Sequence, residues 1–192
     1  MIRECVVTTR AADGHVHIAP MGVRHGDGEI IVAPFRPSGT LENLQRDGYA
    51  VVNYTDDVRI IAGCLTGRYD WPLAPAERIP GMRLAECLAH TEVRVERTVP
   101  DDLRPQLHCK VLHEAIHAPF RGFNRAQAAV VEAAILISRL HLLPPEKIER
   151  EVAYLTIAIE KTAGPREREA WGWLMEMIAD YHRTPELRTF RR

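Results

Sequence analysis

A chain of 192 residues, 46% apolar and 27% charged, can bury a core of its own as one large domain or as a core domain with an appendage. Its 25 basic and 26 acidic residues nearly cancel, which excludes a broad field that recruits nucleic acid or an anionic membrane. The most apolar window, 126–143, carries Glu132 and Arg139 and reads as a core helix rather than a membrane span.

Residues 2–9 read as a first strand, and Asp13-Gly14 supplies a tight hairpin connection to a second. On that second strand His15, His17, Ala19, Met21 and Val23 share one face by the two-residue period. Gly26-Asp27-Gly28 turns into a third strand at 30–32, a helix over 39–47 stops at Gly48, and a fourth strand covers 49–54. Thr55-Asp56-Asp57 opens a helix with Val58, Ile61, Ala62 and Leu65 on one face. The proline-rich stretch 68–89 reads as an irregular surface excursion, and 91–98 as a strand by alternation. Beyond Asn124 the texture is helical: 126–142, then 145–161 after Pro144-Pro145, then 165–182 after Gly164-Pro165. Arg188, Arg191 and Arg192 make a basic tip. No long apolar stretch marks a signal peptide at the start, where Arg3 and Glu4 intervene. Cys5, Cys64, Cys87 and Cys109 form no Cys-x-x-Cys pair and read as reduced, buried thiols of a cytoplasmic protein.

The centre of interest is the stretch 33–44, Ala-Pro-Phe-Arg-Pro-Ser-Gly-Thr-Leu-Glu-Asn-Leu. Pro34 and Pro37 end the third strand and fix a turn, Ser38 or Thr40 can cap the helix, and Gly39 admits close approach. A helix start with exposed N–H groups, two hydroxyls and Arg36 nearby suits a phosphate, and Asn43 lies one turn along on the face of Thr40. The same residues also describe an ordinary capped helix after a proline turn. A second anion-friendly corner is the run from Pro119 to Arg125, where Arg121, Asn124 and Arg125 precede a long helix; alternatively Asn124 is simply its cap.

The order Val6-Val7-Thr8-Thr9, His15 to Val23, the 35–43 turn, Ala50-Val51-Val52-Asn53 and then Pro119 to Ala126 resembles the DUF447 family of the FMN-binding split-barrel superfamily. The resemblance implies an α+β, mainly β, fold: a six-stranded antiparallel split barrel with inserted helices over 1–123 and a C-terminal helical subdomain over 124–192 packed on it. It implies FMN as cofactor, a homodimer with FMN at the interface, and flavin-dependent oxidoreductase chemistry on a small molecule with NAD(P)H as a candidate electron donor. A non-catalytic FMN carrier or sensor is the rival. It further implies a link to tetrahydromethanopterin-type one-carbon metabolism. By the same resemblance Arg36, Ser38, Thr40 and Asn43 hold the phosphate, the flavin ring lies near His17 and Met21, Asn53 faces the same region, and Arg121, Asn124 and Arg125 complete the site or face the substrate. No residue stands out as a catalytic acid or base.

His113-Glu114-Ala115-Ile116-His117 matches the zinc-protease pattern His-Glu-x-x-His. On a helix the two histidines would lie about 6 Å apart and share a metal; on a strand they would be roughly 13 Å apart. Pro119 follows at once and the barrel resemblance makes this a strand, so no metal is expected from the motif. Trp171 and Trp173, two apart on a helix, face different ways.

Overall fold

A computed structural model describes residues 1–26 and 28–183; Asp27 and the basic tip of Arg188, Arg191 and Arg192 lie outside the described residues. Its elements are β1 (Ile2–Arg10), β2 (Val16–His25), β3 (Glu29–Val32), α1 (Gly39–Asp47), β4 (Tyr49–Tyr54), α2 (Val58–Leu65), β5 (Leu73–Pro75), β6 (Met82–Leu84), β7 (Ala89–Val99), β8 (Gln106–Ile116), α3 (Arg125–Ser138), α4 (Pro145–Thr162) and α5 (Pro165–Arg183). Six strands close into a barrel in the order β1-β2-β3-β8-β7-β4, every neighbouring pair antiparallel. This is the α+β split-barrel class that the resemblance implies.

The barrel interior follows from strand alternation. Cys5 and Val7 of β1, Val23 of β2, Ile30 and Val32 of β3, Ala50 and Val52 of β4, Val93 of β7, and Leu107 and Cys109 of β8 form one apolar cluster. Leu41 and Leu44 of α1 belong to it, so this helix stops one end of the barrel with its apolar stripe. Burial pushes the thiols of Cys5 and Cys109 up to about 12, leaving them as inert packing groups.

The stretch 68–89 is less irregular than its prolines predict. It contains a small antiparallel hairpin, β5 with β6, that contacts β1 and β4. That cover explains why residues 5–9 of β1 are all buried: one face meets the interior, the other meets the hairpin. Asn53 fastens it. Its Nδ2 donates to Val6 O at 3.0 Å, Val51 O at 3.2 Å and Thr8 Oγ1 at 3.2 Å, while its Oδ1 accepts from Leu84 N–H at 2.8 Å. Thr8 Oγ1 in turn donates to Met82 O at 2.6 Å.

The pairing of β7 with β8 shifts register between Glu92 and Val93: Val93 opposes Val111, but Glu92 opposes His113. Leu112 is therefore an extra residue, a bulge. Paired residues share a face and consecutive ones alternate. Val93 and Val111 point inward; Glu92 and His113 point outward.

The chain divides into two compact units, residues 1–56 with 70–120, and 57–69 with 121–192. The second consists of α2, α3, α4 and α5, so α2 groups with the C-terminal helices although it lies within the stretch assigned above to the barrel. Its apolar residues account for this: Val58, Ile60, Ile61 and Ala62 are buried, and α2 contacts α3 and α5. Asn124 caps α3 and Asp57 caps α2. Trp171 and Trp173 are both half-buried, and the Arg68 guanidinium lies 4.5 Å from the centre of the Trp173 ring. No helix among the described residues is long and apolar enough to cross a membrane.

Removing the Asn53 amide leaves the Leu84 N–H and the carbonyls of Val6 and Val51 short of a partner in a closed space. Asn53→Ala is expected to lower unfolding stability by about 2–3 kcal/mol, read from the urea midpoint of the whole chain; an unchanged midpoint would show that the amide does not hold the hairpin.

Candidate functional site

The proline turn and α1 form the corner that the sequence singles out. Ser38 is the cap of the helix: its Oγ accepts from Leu41 N–H at 3.3 Å, and its carbonyl accepts from Glu42 N–H at 3.1 Å. The N–H groups of Gly39 and Thr40 have no partner among the described residues. They sit at the positive end of the helix dipole, and the exposed Arg36 lies in the adjoining turn. Gly48 closes the other end with φ 74°, donating its N–H to Leu44 O.

Thr40 and Asn43 serve a different purpose from the one their chemistry predicts. Thr40 is 1% exposed and its hydroxyl lies 3.2 Å from His17 Nε2. Asn43 is 5% exposed; its Nδ2 donates to Thr9 Oγ1 at 2.9 Å, and its Oδ1 accepts from Arg46 at 3.2 Å. His17 and Thr9 oppose each other across β1 and β2. These four side chains thus bolt α1 to one rung of the barrel. Gly39 lies close against the same contact: a Cβ there would lie 3.2 Å from His17 Cε1 and press on that ring.

Burial, with the charge on His15 second, holds the His17 imidazole below its ordinary range and so neutral at pH 7. A neutral ring suits a seat at the positive end of a helix. Met21, also expected near a ring, packs against the interior cluster. Asn53 is 0% exposed and wholly engaged by the hairpin. Arg36, Ser38, Gly39, Thr40 and His17 are therefore brought together, whereas Met21 and Asn53 are structural members of the barrel.

Arg121, Asn124 and Arg125 belong to the helical unit. Asn124 Oδ1 accepts from the N–H groups of Ala126 at 2.7 Å and Gln127 at 3.2 Å, and its Nδ2 donates to Thr162 O at 3.1 Å. It is a helix cap. Arg121 and Arg125 are exposed.

One contributor escapes sequence reasoning altogether. Arg104 donates to Ala33 O at 3.2 and 3.0 Å and lies 4.5 Å from the centre of the Phe35 ring. The backbone adds a bond from Arg36 N–H to Leu103 O at 2.9 Å. The Asp101 carboxylate shapes this brace by accepting from the N–H groups of Leu103 and Arg104. The turn that presents Arg36 is thus held from a loop some seventy positions away.

The lowered histidines carry a pH signature. His17, His25 and His117 all lie below the ordinary 6.5, with burial the largest cause in each. Below 6.5 the unfolded chain takes up protons that these rings resist, so stability is full above 6.5 and falls as pH drops through the folded values. His17→Gln is expected to make that fall shallower, measured as thermal midpoint against pH; identical slopes would show that His17 does not contribute.

Two family models match: the N-terminal domain of the protein of unknown function DUF447 over residues 3–118, and DUF447 over residues 124–176. The FMN-bound protein MM1853 from Methanosarcina mazei is similar across 92% of this chain and 94% of that one, at 19% identity and TM-score 0.79. The flavoredoxin from Methanosarcina acetivorans is similar over 60% of this chain and 69% of that one, at 13% identity and TM-score 0.53. The styrene monooxygenase flavin reductase from Pseudomonas putida S12 is similar over 60% and 80%, at 15% identity and TM-score 0.51. At such identities the likeness establishes the fold. No curated protein matches. Barrel and helical unit together are covered by the two models, and the chain belongs to the DUF447 family.

Proposed function

We propose that this protein binds FMN, with the phosphate at the start of α1, and serves as a flavin-dependent oxidoreductase acting on a small molecule. The observation that carries the reading is the pair of unpartnered N–H groups of Gly39 and Thr40 beside the exposed Arg36. A phosphate monoester needs several donors and a positive field from one side, and this corner supplies both. The FMN-bound state of MM1853 and the flavin reductase and flavoredoxin of like fold support the same cofactor.

In this reading the residues divide by task. Arg36 and the N–H groups of Gly39 and Thr40 meet the phosphate. Ser38 organises the first turn, and His17, Thr40 and Asn43 hold the helix in register without touching the ligand through their side chains. Arg104 braces the turn. When bound, the flavin supplies the hydride chemistry, and the chain supplies anchorage and orientation.

The reading includes a homodimer, in keeping with the exposed Leu112 and Ile116 on β8, and a cytoplasmic setting, in keeping with four free buried cysteines. Arg121 and Arg125 are then the exposed cations available to a second copy or a substrate. NAD(P)H as electron donor and a substrate of tetrahydromethanopterin-type metabolism rest on the family resemblance alone.

The test begins with the absorbance of the purified protein and its titration with FMN. Arg36→Ala is expected to weaken FMN about ten- to a hundredfold, the worth of a charge-assisted contact, with the far-ultraviolet spectrum unchanged. Thr40→Ala is expected to weaken it less, through the loosened seat against His17. Wild-type affinity in both variants would overturn the phosphate assignment. Reduction of bound flavin by NADH or NADPH, followed by reoxidation by a small molecule, separates an oxidoreductase from a carrier.

A further inference from the structure

The outer face of the barrel carries a second polar cluster that shares no residue with the α1 corner. The Leu112 bulge turns His113 outward, opposite Glu92, and His90 lies two residues before Glu92 on the same face. Both β7 residues are buried, His90 at 1% and Glu92 at 0% exposure, beneath the loop that joins β5 to β6. Glu77 comes down from that loop, with Oε2 3.1 Å from His113 Nε2.

We propose that Glu77, His90 and His113 form a binding site for one borderline divalent cation of the zinc class, which clamps the β5–β6 loop to the barrel. One ligand atom from each residue lies within 4.8 Å of the other two. Ligands of a tetrahedral zinc are about 3.3–3.6 Å apart, given bonds of about 2.0–2.2 Å, so small side-chain rotations complete the site. Two imidazoles and one carboxylate are the donor set this cation class prefers, with a fourth position left for water or an added ligand.

Two further observations favour an ion here. His113 Nε2 is shut off from solvent and makes no aligned hydrogen bond, although a carboxylate oxygen is 3.1 Å away. A buried nitrogen facing a carboxylate without a bond between them is a costly arrangement that a cation resolves. The second is the support behind His90. The Glu92 carboxylate accepts from the backbone N–H groups of Glu77, Arg78 and Ile79, the last two at 2.8 and 2.9 Å, and lies 3.2 Å from His90 Nε2. Glu92 thus steadies the His90 ring from the barrel side, the carboxylate–histidine arrangement that orients metal ligands. His117 Nε2 lies 2.9 Å from His90 Nδ1.

This site differs from the protease pattern in the sequence. Glu114, the base in that pattern, neighbours His113 on a strand and so faces the other way, accepting from Thr91 Oγ1 at 3.1 Å. The ligands instead come from a loop and two strands that only the fold assembles.

The full-length chain, stripped with a chelator, is titrated with zinc sulfate, and bound zinc is counted by mass spectrometry. One zinc per chain is expected, with slower amide exchange at residues 77–79 when zinc is present. His113→Ala and Glu77→Gln, both at partly exposed side chains, are each expected to lower zinc affinity tenfold or more and to abolish the exchange effect. Both retain FMN binding, so failure here is separable from failure of the flavin reading; His141→Ala, at an exposed histidine of α3's C-terminal flank, is the control that binds zinc normally. Absence of saturable zinc binding in the wild-type chain, or wild-type affinity in both variants, would overturn the proposal.

Discussion

The seating of α1 in the end of the barrel is the contact on which the candidate site depends. Leu41 and Leu44 supply the force, each burying a side chain worth about 1.5–3 kcal/mol. Apolar burial is not directional, so it leaves the rotation of the helix about its axis loosely defined. The contacts of Thr40 with His17 and of Asn43 with Thr9 define it. Because backbone N–H groups cannot move independently of the helix, that rotation also sets where the donors of Gly39 and Thr40 point.

A similar division between force and direction holds on the outer face. The β5–β6 excursion buries the second side of β1 and β4, but its place is specified by two polar fastenings, Asn53 to Leu84 N–H and Glu92 to the N–H groups of residues 77–79. A buried carboxylate is tolerated here because three N–H donors replace the hydration it loses, and removing one would leave its charge uncompensated. That fastening also fixes the His90 ring, so the histidine cluster inherits its geometry from a structural contact.

The residues of the α1 corner thus sort into those that build it and those that face outward from it. Thr40, Asn43 and His17 are polar groups spent on construction, and Arg104 and Asp101 brace the turn from outside. What they leave without a partner among the described residues is the pair of N–H groups of Gly39 and Thr40, beside the exposed guanidinium of Arg36. Substituting a building residue and a facing residue therefore disturb the same site by different physical routes, one through alignment and the other through contact.

Most elements were legible in the chain because their causes are local. Gly14 and Gly48 adopt positive φ where a hairpin and a helix end require it, Ser38 and Asn124 cap the helices they precede, and Pro145 and Pro165 open the helices they begin. Five barrel strands were legible from their periods and turns, the sixth from the family resemblance, and the anion corner from the composition of one turn. Tertiary structure decided which polar side chains remain open. Nothing near Thr40 or Asn53 in sequence announces His17 or Leu84 as its partner, and nothing around Ala33 announces Arg104. The Leu112 bulge is the sharpest case: a strict two-residue period puts Val111 and His113 on one face, and a single unpaired residue sends them to opposite faces. Local propensity is a property of a few adjacent residues, whereas satisfying a buried polar atom requires a partner that only the closed barrel brings near.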